Sequence, residues 1–419
     1  MCPAYIAGLI GPGDRKSIQP MAARSDAVPY DRLHHFIGAG LWDKAPLEAT
    51  LWKQADDLVG GERSWLIIDD TALPKKGKAS VGVAPQYATA LGKNANCQTM
   101  VSVTLASGEV PLMLSLRLFL PEIWTGDVAR MDKAGVPRAL QDYRTKPEIA
   151  LEEIDRVIAA DVRFGCVLAD AGYGLSAPFR QALTARGLCW AVGIPRHQKV
   201  YPDDVQLIFP VAGRGRPRMR HVPDVTSVAA HTMLEGAKWQ QVSWRKGTKG
   251  RLTARFAAIR VRIADGAPQR IGSAGAQHMP GEEVWLVGEH RSNGERKYYL
   301  SNLPADTPIK VLAGAIKARW ICEQAHQQLK EELGLDHFEG RSWSGLHRHA
   351  LMSMMAYAFL QSRRLAQAGR KKRASGPPPQ PSLPAVRQAI LDRIARSPPT
   401  HCPHCGWIFN RHPNSILPK

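Results

Sequence analysis

The chain has 419 residues, of which 44% are hydrophobic, and a net charge of +19 at pH 7. This length predicts more than one domain, and the hydrophobic content excludes global disorder. Lys and Arg number 56 against 37 for Asp and Glu, an excess that favours a polyanionic partner, with nucleic acid ahead of an acidic membrane surface.

The sequence gives no sign of a membrane or secreted protein. It has no apolar run of the ~18 residues that a membrane span needs. The short apolar stretch at the N-terminus follows no basic segment, which makes it a poor signal peptide. The 7 cysteines are scattered apart from Cys402 and Cys405, a pattern typical of reduced proteins. We therefore expect a cytoplasmic protein without a membrane partner.

The first elements are predicted to be helices and then strands. Residues 1–60 have helix-spaced apolar positions. Residues 65–68 form a short apolar run that ends at Asp69 and suits a strand buried on both faces. Residues 100–106 and 110–120 flank a Ser-Gly-Glu turn and predict a hairpin.

Helices and strands then alternate. We predict a helix over 146–160, a strand over 164–169 that ends at Asp170, a helix over 178–186 and a strand over 188–194. Three antiparallel strands followed by helix, strand, helix and strand predict a mixed α/β sheet with helices on its faces. This is the element order of a ribonuclease H-like fold.

The rest of the chain predicts a β-rich insertion followed by helices. A Ser-Asn-Gly turn at 292–294 indicates a hairpin within the insertion, and helices are predicted over 308–333 and 346–368. The expected organisation is a helical region (1–60), a ribonuclease H-like domain (61–194 and 305–345), a β-rich insertion (195–304), a C-terminal helix (346–368), and a basic Pro-rich linker with a CxxC tail (369–419).

Three acids form the candidate catalytic site. Asp69 and Asp170 each follow a buried apolar strand, and the carboxyl ends of strands are where sites form in open sheets. With Glu323 from a helix, they would give a hard-oxygen cage suited to Mg²⁺. Two such metals ~3.5–4 Å apart can act on both oxygens of a phosphodiester displacement. For either aspartate alone, the alternative is a turn or capping residue.

Two cations accompany the third acid. Arg319 lies four residues before Glu323, and Lys330 lies seven after it, so the predicted helix carries all three on one stripe. A carboxylate flanked by cations can hold a metal while the cations hold phosphates. The alternative is a solvated charged face.

Three segments occur in order within about residues 40–360: Ile68-Asp69-Asp70-Thr71 with Pro74-Lys75-Lys76-Gly77-Lys78; Leu168-Ala169-Asp170-Ala171-Gly172-Tyr173-Gly174; and Arg319, Glu323 and Lys330 followed by residues 333–341. They resemble the motifs of bacterial insertion-sequence DDE transposases that carry a β-strand insertion and a tyrosine-arginine-glutamate-lysine signature. The chain departs from the signature at its tyrosine place, which is Ile316; Trp320 could substitute.

The resemblance implies a magnesium-dependent transposase, with Mn²⁺ as a substitute, that cuts transposon ends and transfers the strand to target DNA. Asp69, Asp170 and Glu323 would hold the metals, and Arg319 and Lys330 would contact DNA. It further implies N-terminal helices that recognise terminal inverted repeats, a homodimer in the DNA complex, and association with the bacterial nucleoid. Asp69 is preferred to its neighbour Asp70 because the family pattern is Asp-x-Thr and because the strand pleat turns Asp70 to the other face.

Aromatic, basic and cysteine motifs complete the candidates. Trp239, Trp244 and Trp285 in the insertion could stack on a flipped base, although a core role is the commoner one. Arg214 and Arg216 lie in a Gly-Arg-Gly-Arg-Pro-Arg segment that resembles a minor-groove hook, or form a plain basic loop.

Cys402 and Cys405 have the CxxC spacing of one zinc knuckle, with nearby histidines but no second CxxC, so the alternative is a tail that binds no metal.

Two other functions fit the same sequence. One is a ribonuclease H-like nuclease that only hydrolyses DNA. The other is a domesticated DNA-binding regulator, whose usual mark would be the loss of an acid.

Overall fold

The computed structural model describes residues 1–24, 28–88, 92–209, 220–247, 250–270, 275–369, 381–395, 400–401 and 408–409. Its helices are α1 (Cys2–Ile10), α2 (Ile18–Ala22), α3 (Tyr30–Gly38), α4 (Ala45–Val59), α5 (Glu122–Thr125), α6 (Val128–Lys133), α7 (Lys146–Ala159), α8 (Ala171–Gly174), α9 (Ala177–Ala185), α10 (Ala230–Met233), α11 (Ile309–Ala318), α12 (Trp320–Glu331), α13 (Trp343–Gln367) and α14 (Leu383–Ala395). Its strands are β1 (Trp65–Pro74), β2 (Ala84–Ala88), β3 (Lys93–Ser107), β4 (Val110–Leu118), β5 (Cys166–Ala169), β6 (Trp190–Ile194), β7 (Lys199–Pro202), β8 (Leu207–Ile208), β9 (Val222–Pro223), β10 (Val228–Ala229), β11 (Gln240–Gly247), β12 (Gly250–Arg270), β13 (Ala276–His290), β14 (Arg296–Ser301), β15 (Thr400–His401) and β16 (Ile408–Phe409).

Five strands form the centre of the main sheet in the order β4-β3-β1-β5-β6. β3 is antiparallel to β4 and to β1, whereas β1, β5 and β6 are parallel. This order and these directions are those of a ribonuclease H-like sheet, so the predicted fold class is confirmed. β2, which the sequence pattern did not predict, pairs with the start of β3.

Strand β1 is buried on both faces. Leu66 and Ile68 lie in the larger core, together with apolar residues of α7 and α9, while Ile67 lies in a second core with α11 and α12. Because successive side chains of a strand point to opposite faces, residue 69 faces α11 and α12, and residue 70 faces the other way. The strand does not end at Asp69, as its apolar run suggested, but continues to Pro74 through its pairing with β3.

The insertion is β-rich, as predicted, and it extends the central sheet. β14 pairs antiparallel with β6, and β13, β12 and β7 follow across the sheet. The predicted hairpin is present as β13 and β14. The main sheet therefore has 12 strands among the described residues.

The helix predicted over 308–333 is two helices. α11 ends at Ala318 and α12 begins at Trp320, with Arg319 at the junction. Neither proline nor glycine marks residue 319, so the sequence pattern gave no sign of the interruption. Arg319 nevertheless keeps right-handed helical backbone angles (φ −51°, ψ −34°), and its side chain still pairs with Glu323 four residues on.

The terminal helices pack on the central domain. Tyr5 of α1 hydrogen-bonds through its hydroxyl to His349 Nδ1 of α13, 2.9 Å away. Arg387 of α14 donates to the carbonyl oxygens of Ile10 and Gly11 and pairs with Glu332. The region 369–419, predicted as a linker, therefore contains a docked helix. Its buried residues Leu383 and Val386 are three apart, a helical spacing that is visible in the sequence.

None of the described helices combines the length and apolar character needed to cross a membrane.

Candidate active site

Asp69 on β1 lies beside Asp170, which directly follows the neighbouring parallel strand β5. The last residues paired between β1 and β5 are Ile68 and Ala169. Asp69 and Asp170 are the residues that immediately follow them. Neighbouring strands are about 4.8 Å apart. Burial raises the pKa of Asp170, and the negative charge of Asp69 raises it further. The structure thus brings together the first two acids that the sequence identified.

The Asp69 side chain faces α11 and α12. Its Oδ2 lies 2.7 Å from Arg319 Nη1 and 3.1 Å from Cys322 Sγ. Burial raises the pKa of the Asp69 carboxyl, and Arg319 and the Cys322 thiol partly offset the rise. Asp69 is therefore a mostly desolvated carboxylate (side chain 13% exposed) that requires a positive charge nearby.

Asp70 points to the opposite face of the sheet. Its Oδ2 pairs with Lys146 at the start of α7. The helix start is fixed by a capping box between Thr145 and Glu148. Asp69 and Asp70 thus face opposite sides of the sheet, as the pleat of the strand predicts.

Asp170 caps a helix as well as facing Asp69. Its Oδ1 accepts hydrogen bonds from the backbone N–H groups of Gly172 (2.9 Å) and Tyr173 (3.3 Å) at the start of α8. Asp170 therefore fills the capping role that was the alternative to catalysis, and it also lies beside Asp69. Capping fixes the carboxylate and leaves its second oxygen for another ligand.

The turn after β5 packs tightly on β6. A Cβ atom on Gly174 would lie 2.0 Å from the carbonyl oxygen of Gly193, and one on Gly193 would lie 2.8 Å from the Ala171 nitrogen. Only glycine fits at these two positions without moving backbone. The close contact between these two glycines therefore holds the turn that carries Asp170 against β6.

Arg319 bridges the first and third acids. Besides its contact with Asp69, its Nη2 lies 2.5 Å from Glu323 Oε1. Burial alone would lower the pKa of Arg319, but the carboxylates of Asp69, Glu323 and Asp170 outweigh it and raise the pKa. The guanidinium therefore supplies positive charge where three carboxylates converge. Of the two acids that pair with Arg319, Glu323 is the more accessible, with half of its side chain exposed.

Lys330 lies on α12 and contacts β1 three residues beyond Asp69. Its Nζ donates a hydrogen bond of 2.8 Å to the carbonyl oxygen of Ala72 on β1, and burial lowers the pKa of its ammonium group. Lys317, a lysine nearby on α11, forms a salt bridge with the fully buried Glu289, so it is not an uninvolved surface control for Lys330. Lys310, exposed on α11, is the better control.

We expect Lys330→Ala to slow DNA cleavage and weaken DNA-end binding more than Lys310→Ala does. It should also lower the free energy of unfolding by about 1–2 kcal/mol, since a charged donor to a carbonyl is lost. Cleavage rates, end-DNA binding and thermal melts of both variants test this. If Lys330→Ala only melts earlier, and the folded protein cuts and binds like Lys310→Ala, then Lys330 has a structural role and no DNA contact.

A cavity of about 1260 Å³ opens beside Asp170 and Glu323. Its walls carry more cations than acids, and its aromatic members are Trp65, Trp244, Tyr298, Tyr299 and Trp320. The cationic residues lining it are Arg196, Arg245, Arg291, Arg296, Lys297, Lys317 and Arg319. Such a cavity suits a polyanion whose reacting group reaches the acids.

The aromatic candidates lie in different surroundings. Trp239 and Trp285 are half-buried against the cores. Trp320 is 43% exposed, with the Arg245 guanidinium 4.7 Å from its ring, whereas Ile316 is buried. Trp320 is therefore better placed than Ile316 to meet a ligand.

Four candidates fall outside the described residues. They are Arg214 and Arg216 of the minor-groove segment, and Cys402 and Cys405 of the CxxC knuckle.

Two residues at the site were not predicted: Cys322 donates to Asp69, and His326 contacts Ser102 on β3. Lys146, which pairs with Asp70 on the opposite face of the sheet, was also not predicted. Cys322 and His326 are four apart on α12, a spacing that marks one helix face and could have drawn attention to them.

Residues 1–251 match the sequence model of a family described as DDE superfamily endonuclease. Among curated proteins, the chain is 30% identical over 171 residues to a probable transposase for insertion sequence element IS701 from Microchaete diplosiphon. The match covers 40% of this chain and 41% of that protein, so the chain spans about two fifths of the length of this curated relative.

Two solved structures show weaker likeness. A cryo-EM structure of the piggyBac transposase synaptic complex with hairpin DNA matches at 11% identity and a TM-score of 0.42, over 94% of this chain and 71% of that one. The NurA nuclease from Sulfolobus solfataricus matches at 11% identity and a TM-score of 0.24, over 81% of this chain and 97% of that one. Likeness at these scores supports no inference about function.

Proposed function

The chain belongs to the DDE superfamily endonuclease family, and from this we propose that it is the transposase of an insertion sequence. In the proposed reaction, water attacks a phosphodiester at the transposon end and the bond to the 3′ oxygen breaks. The freed 3′-hydroxyl then attacks a phosphodiester of target DNA in a second in-line displacement.

The observation that carries the proposal is the register of β1 with β5. It ends immediately before Asp69 and Asp170, and the Arg319 contacts with Asp69 and Glu323 hold the third acid near the first. Three carboxylates near the single guanidinium of Arg319 are more than one general acid or base requires, and they are the number expected for a metal-binding set.

The donor chemistry fits a divalent metal. Asp69, Asp170 and Glu323 offer only carboxylate oxygens, the ligand type that Mg²⁺ prefers, with Mn²⁺ as a substitute. The raised pKa values of Asp69 and Asp170 reflect a buried acidic pair that a cation would stabilise. Mg²⁺ held there would supply Lewis-acid stabilisation of the oxygens at the scissile phosphodiester.

The chain's own residues bind and position DNA in this proposal. Arg319, released from a carboxylate, can hold a phosphate with its planar pair of donors. Lys330 supports β1 at Ala72 and adds positive charge below the site. The basic walls of the cavity and the +19 net charge would attract the double-stranded substrate.

Further parts of the proposal concern partners. The helices within 1–60 would recognise terminal inverted repeats, the insertion at 195–304 would hold the DNA end, and Arg214 and Arg216 would enter a minor groove. We also propose a homodimer in the DNA complex, nucleoid association in the bacterial cytoplasm, and a zinc ion at Cys402 and Cys405.

A strand-transfer assay tests the function. The purified chain, Mg²⁺ and DNA carrying the element's inverted repeats should give cleavage at the repeat ends, and pre-cut ends should join to a target plasmid. Cleavage without joining would leave a nuclease of the same fold, and binding with neither activity would leave a DNA-binding regulator.

DNA binding should depend strongly on salt. Each phosphate contacted by Lys or Arg releases counterions, so with about 6–10 contacts the affinity would fall by about 10³–10⁵ between 50 and 200 mM salt. Fluorescence anisotropy over this range measures the slope. A flat affinity would contradict a phosphate-dominated interface.

A further inference from the structure

Asp69 also belongs to a second group of metal-binding atoms. A carboxylate oxygen of Asp69, Cys322 Sγ and a ring nitrogen of His326 all lie within 4.8 Å of one another. Cys322 and His326 come from one face of α12 and Asp69 from β1, so the group connects a helix to the catalytic strand. Cys322 is fully buried, and His326 is 8% exposed.

This donor set differs in kind from the proposed magnesium set. One carboxylate, one thiol and one imidazole make an oxygen, sulfur and nitrogen triad, the combination that zinc takes in proteins. Mg²⁺ is a hard cation that binds oxygen ligands and has low affinity for thiolates. The two sets share Asp69 and are otherwise separate.

The hydrogen bonds of His326 leave a nitrogen available. The Ser102 hydroxyl donates to the carbonyl oxygen of Asp69, 3.1 Å away. Ser102 Oγ is therefore the acceptor for His326 Nε2, 2.8 Å away, which makes Nε2 the protonated nitrogen and leaves the lone pair on Nδ1. A histidine held by one ring nitrogen and free at the other is the usual form of a metal ligand.

We propose that Asp69, Cys322 and His326 form a regulatory site for a thiolate-binding divalent cation such as Zn²⁺, whose occupation withdraws Asp69 from catalysis. Its inhibitory consequence rests on the proposed function; its occupation by metal does not. On binding, the S–H bond of Cys322 breaks, the thiolate ligates the ion and the proton passes to solvent. A water completes the tetrahedron.

The three ligand atoms lie within 4.8 Å of one another, so binding one ion requires them to draw together by up to about 1 Å, with the His326 ring presenting Nδ1. Zinc bonds of about 2.0 Å to oxygen and 2.3 Å to sulfur place tetrahedral ligands roughly 3.5 Å apart, and Asp69 Oδ2 lies 3.1 Å from Cys322 Sγ already. The ion would replace Arg319 as the positive partner of Asp69. Arg319 would keep its contact with Glu323.

Cobalt substitution tests occupation of the site directly. Because the CxxC knuckle would give a thiolate band of its own, Co²⁺ is added to the full-length chain carrying Cys402→Ser/Cys405→Ser. This protein should still give a thiolate-to-cobalt charge-transfer band, which should disappear when Cys322→Ala is added and weaken when His326→Asn is added. Thermal melts confirm that each variant is folded.

The outcomes separate this proposal from its rivals. In the background without the knuckle cysteines, the absence of a band, or a band that survives Cys322→Ala, would overturn the site, since Cys322 would then not be the thiolate ligand.

Zinc inhibition tests the consequence for catalysis. In Mg²⁺ assays, the zinc concentration that halves cleavage should rise by about 10–100-fold in Cys322→Ala, relative to that variant's own uninhibited rate. An unchanged zinc response would refute the regulatory role. A protein that shows the cobalt band but no cleavage under any condition would instead refute the proposed function.

Discussion

Asp170→Asn is expected to abolish DNA cleavage while leaving DNA binding and folding intact. The amide keeps the shape of the side chain, and its oxygen can still accept from Gly172 and Tyr173, so the cap of α8 survives. The negative charge that a divalent metal requires is lost. We expect the cleavage rate to fall by at least about 10²–10³-fold, as when one charge-stabilising contact is removed from an active site.

The stability of this variant distinguishes a functional from a structural loss. The pKa of Asp170 is raised in the folded chain, so its ionised form destabilises the metal-free fold as the pH rises through that pKa. With chelator at neutral pH, Asp170→Asn should therefore melt no lower than the unmodified chain. In the unmodified chain, ionisation of Asp170 should lower the free energy of unfolding as the pH rises from acid toward neutral.

A matched control is available in the same fold. Asp127 caps α6 by accepting from Arg130 N, 2.9 Å away, and is not part of the acidic site. Asp127→Asn should cut DNA at the unmodified rate, whereas Glu323→Gln should be as inactive as Asp170→Asn. Normal cleavage by Asp170→Asn or Glu323→Gln would refute the assignment of the acids.

The adjacent aspartates should respond in opposite ways, with Asp69→Asn inactive and Asp70→Asn active. Asp69 faces the other acids and pairs with Arg319, whereas Asp70 faces Lys146 on the opposite side of the sheet. Asn at 69 removes the charge that Arg319 and a metal would share.

The change at Asp70 removes one partly exposed ion pair. Such pairs contribute about 0–1 kcal/mol, so Asp70→Asn should melt slightly earlier and cut at close to the unmodified rate. Cleavage kinetics and melts of the two variants, measured side by side, decide the matter. An inactive Asp70→Asn with an active Asp69→Asn would move the first acid to the other face and separate it from Arg319.

The sequence alone determined the central sheet and two of its acids. Apolar runs at 65–68 and 164–169, followed by Asp69 and Asp170, predicted two buried strands, and the element order predicted their fold. These inferences succeeded because the period of a strand and the burial of its residues are local properties that leave a pattern in the sequence. The same pleat predicted that Asp69 and Asp70 would separate, as their partners indicate.

The tertiary structure decided what lies around those acids. The interruption at Arg319, its bridge between Asp69 and Glu323, and the approach of Cys322 and His326 to Asp69 join residues about 250 positions apart in the chain. The docking of α14 and the continuation of the sheet through β14 are of the same kind. No local period encodes such contacts, because they depend on which buried faces the whole chain brings together. The sequence thus determined which strands carry the acids, and packing decided which cation and which soft ligands meet them.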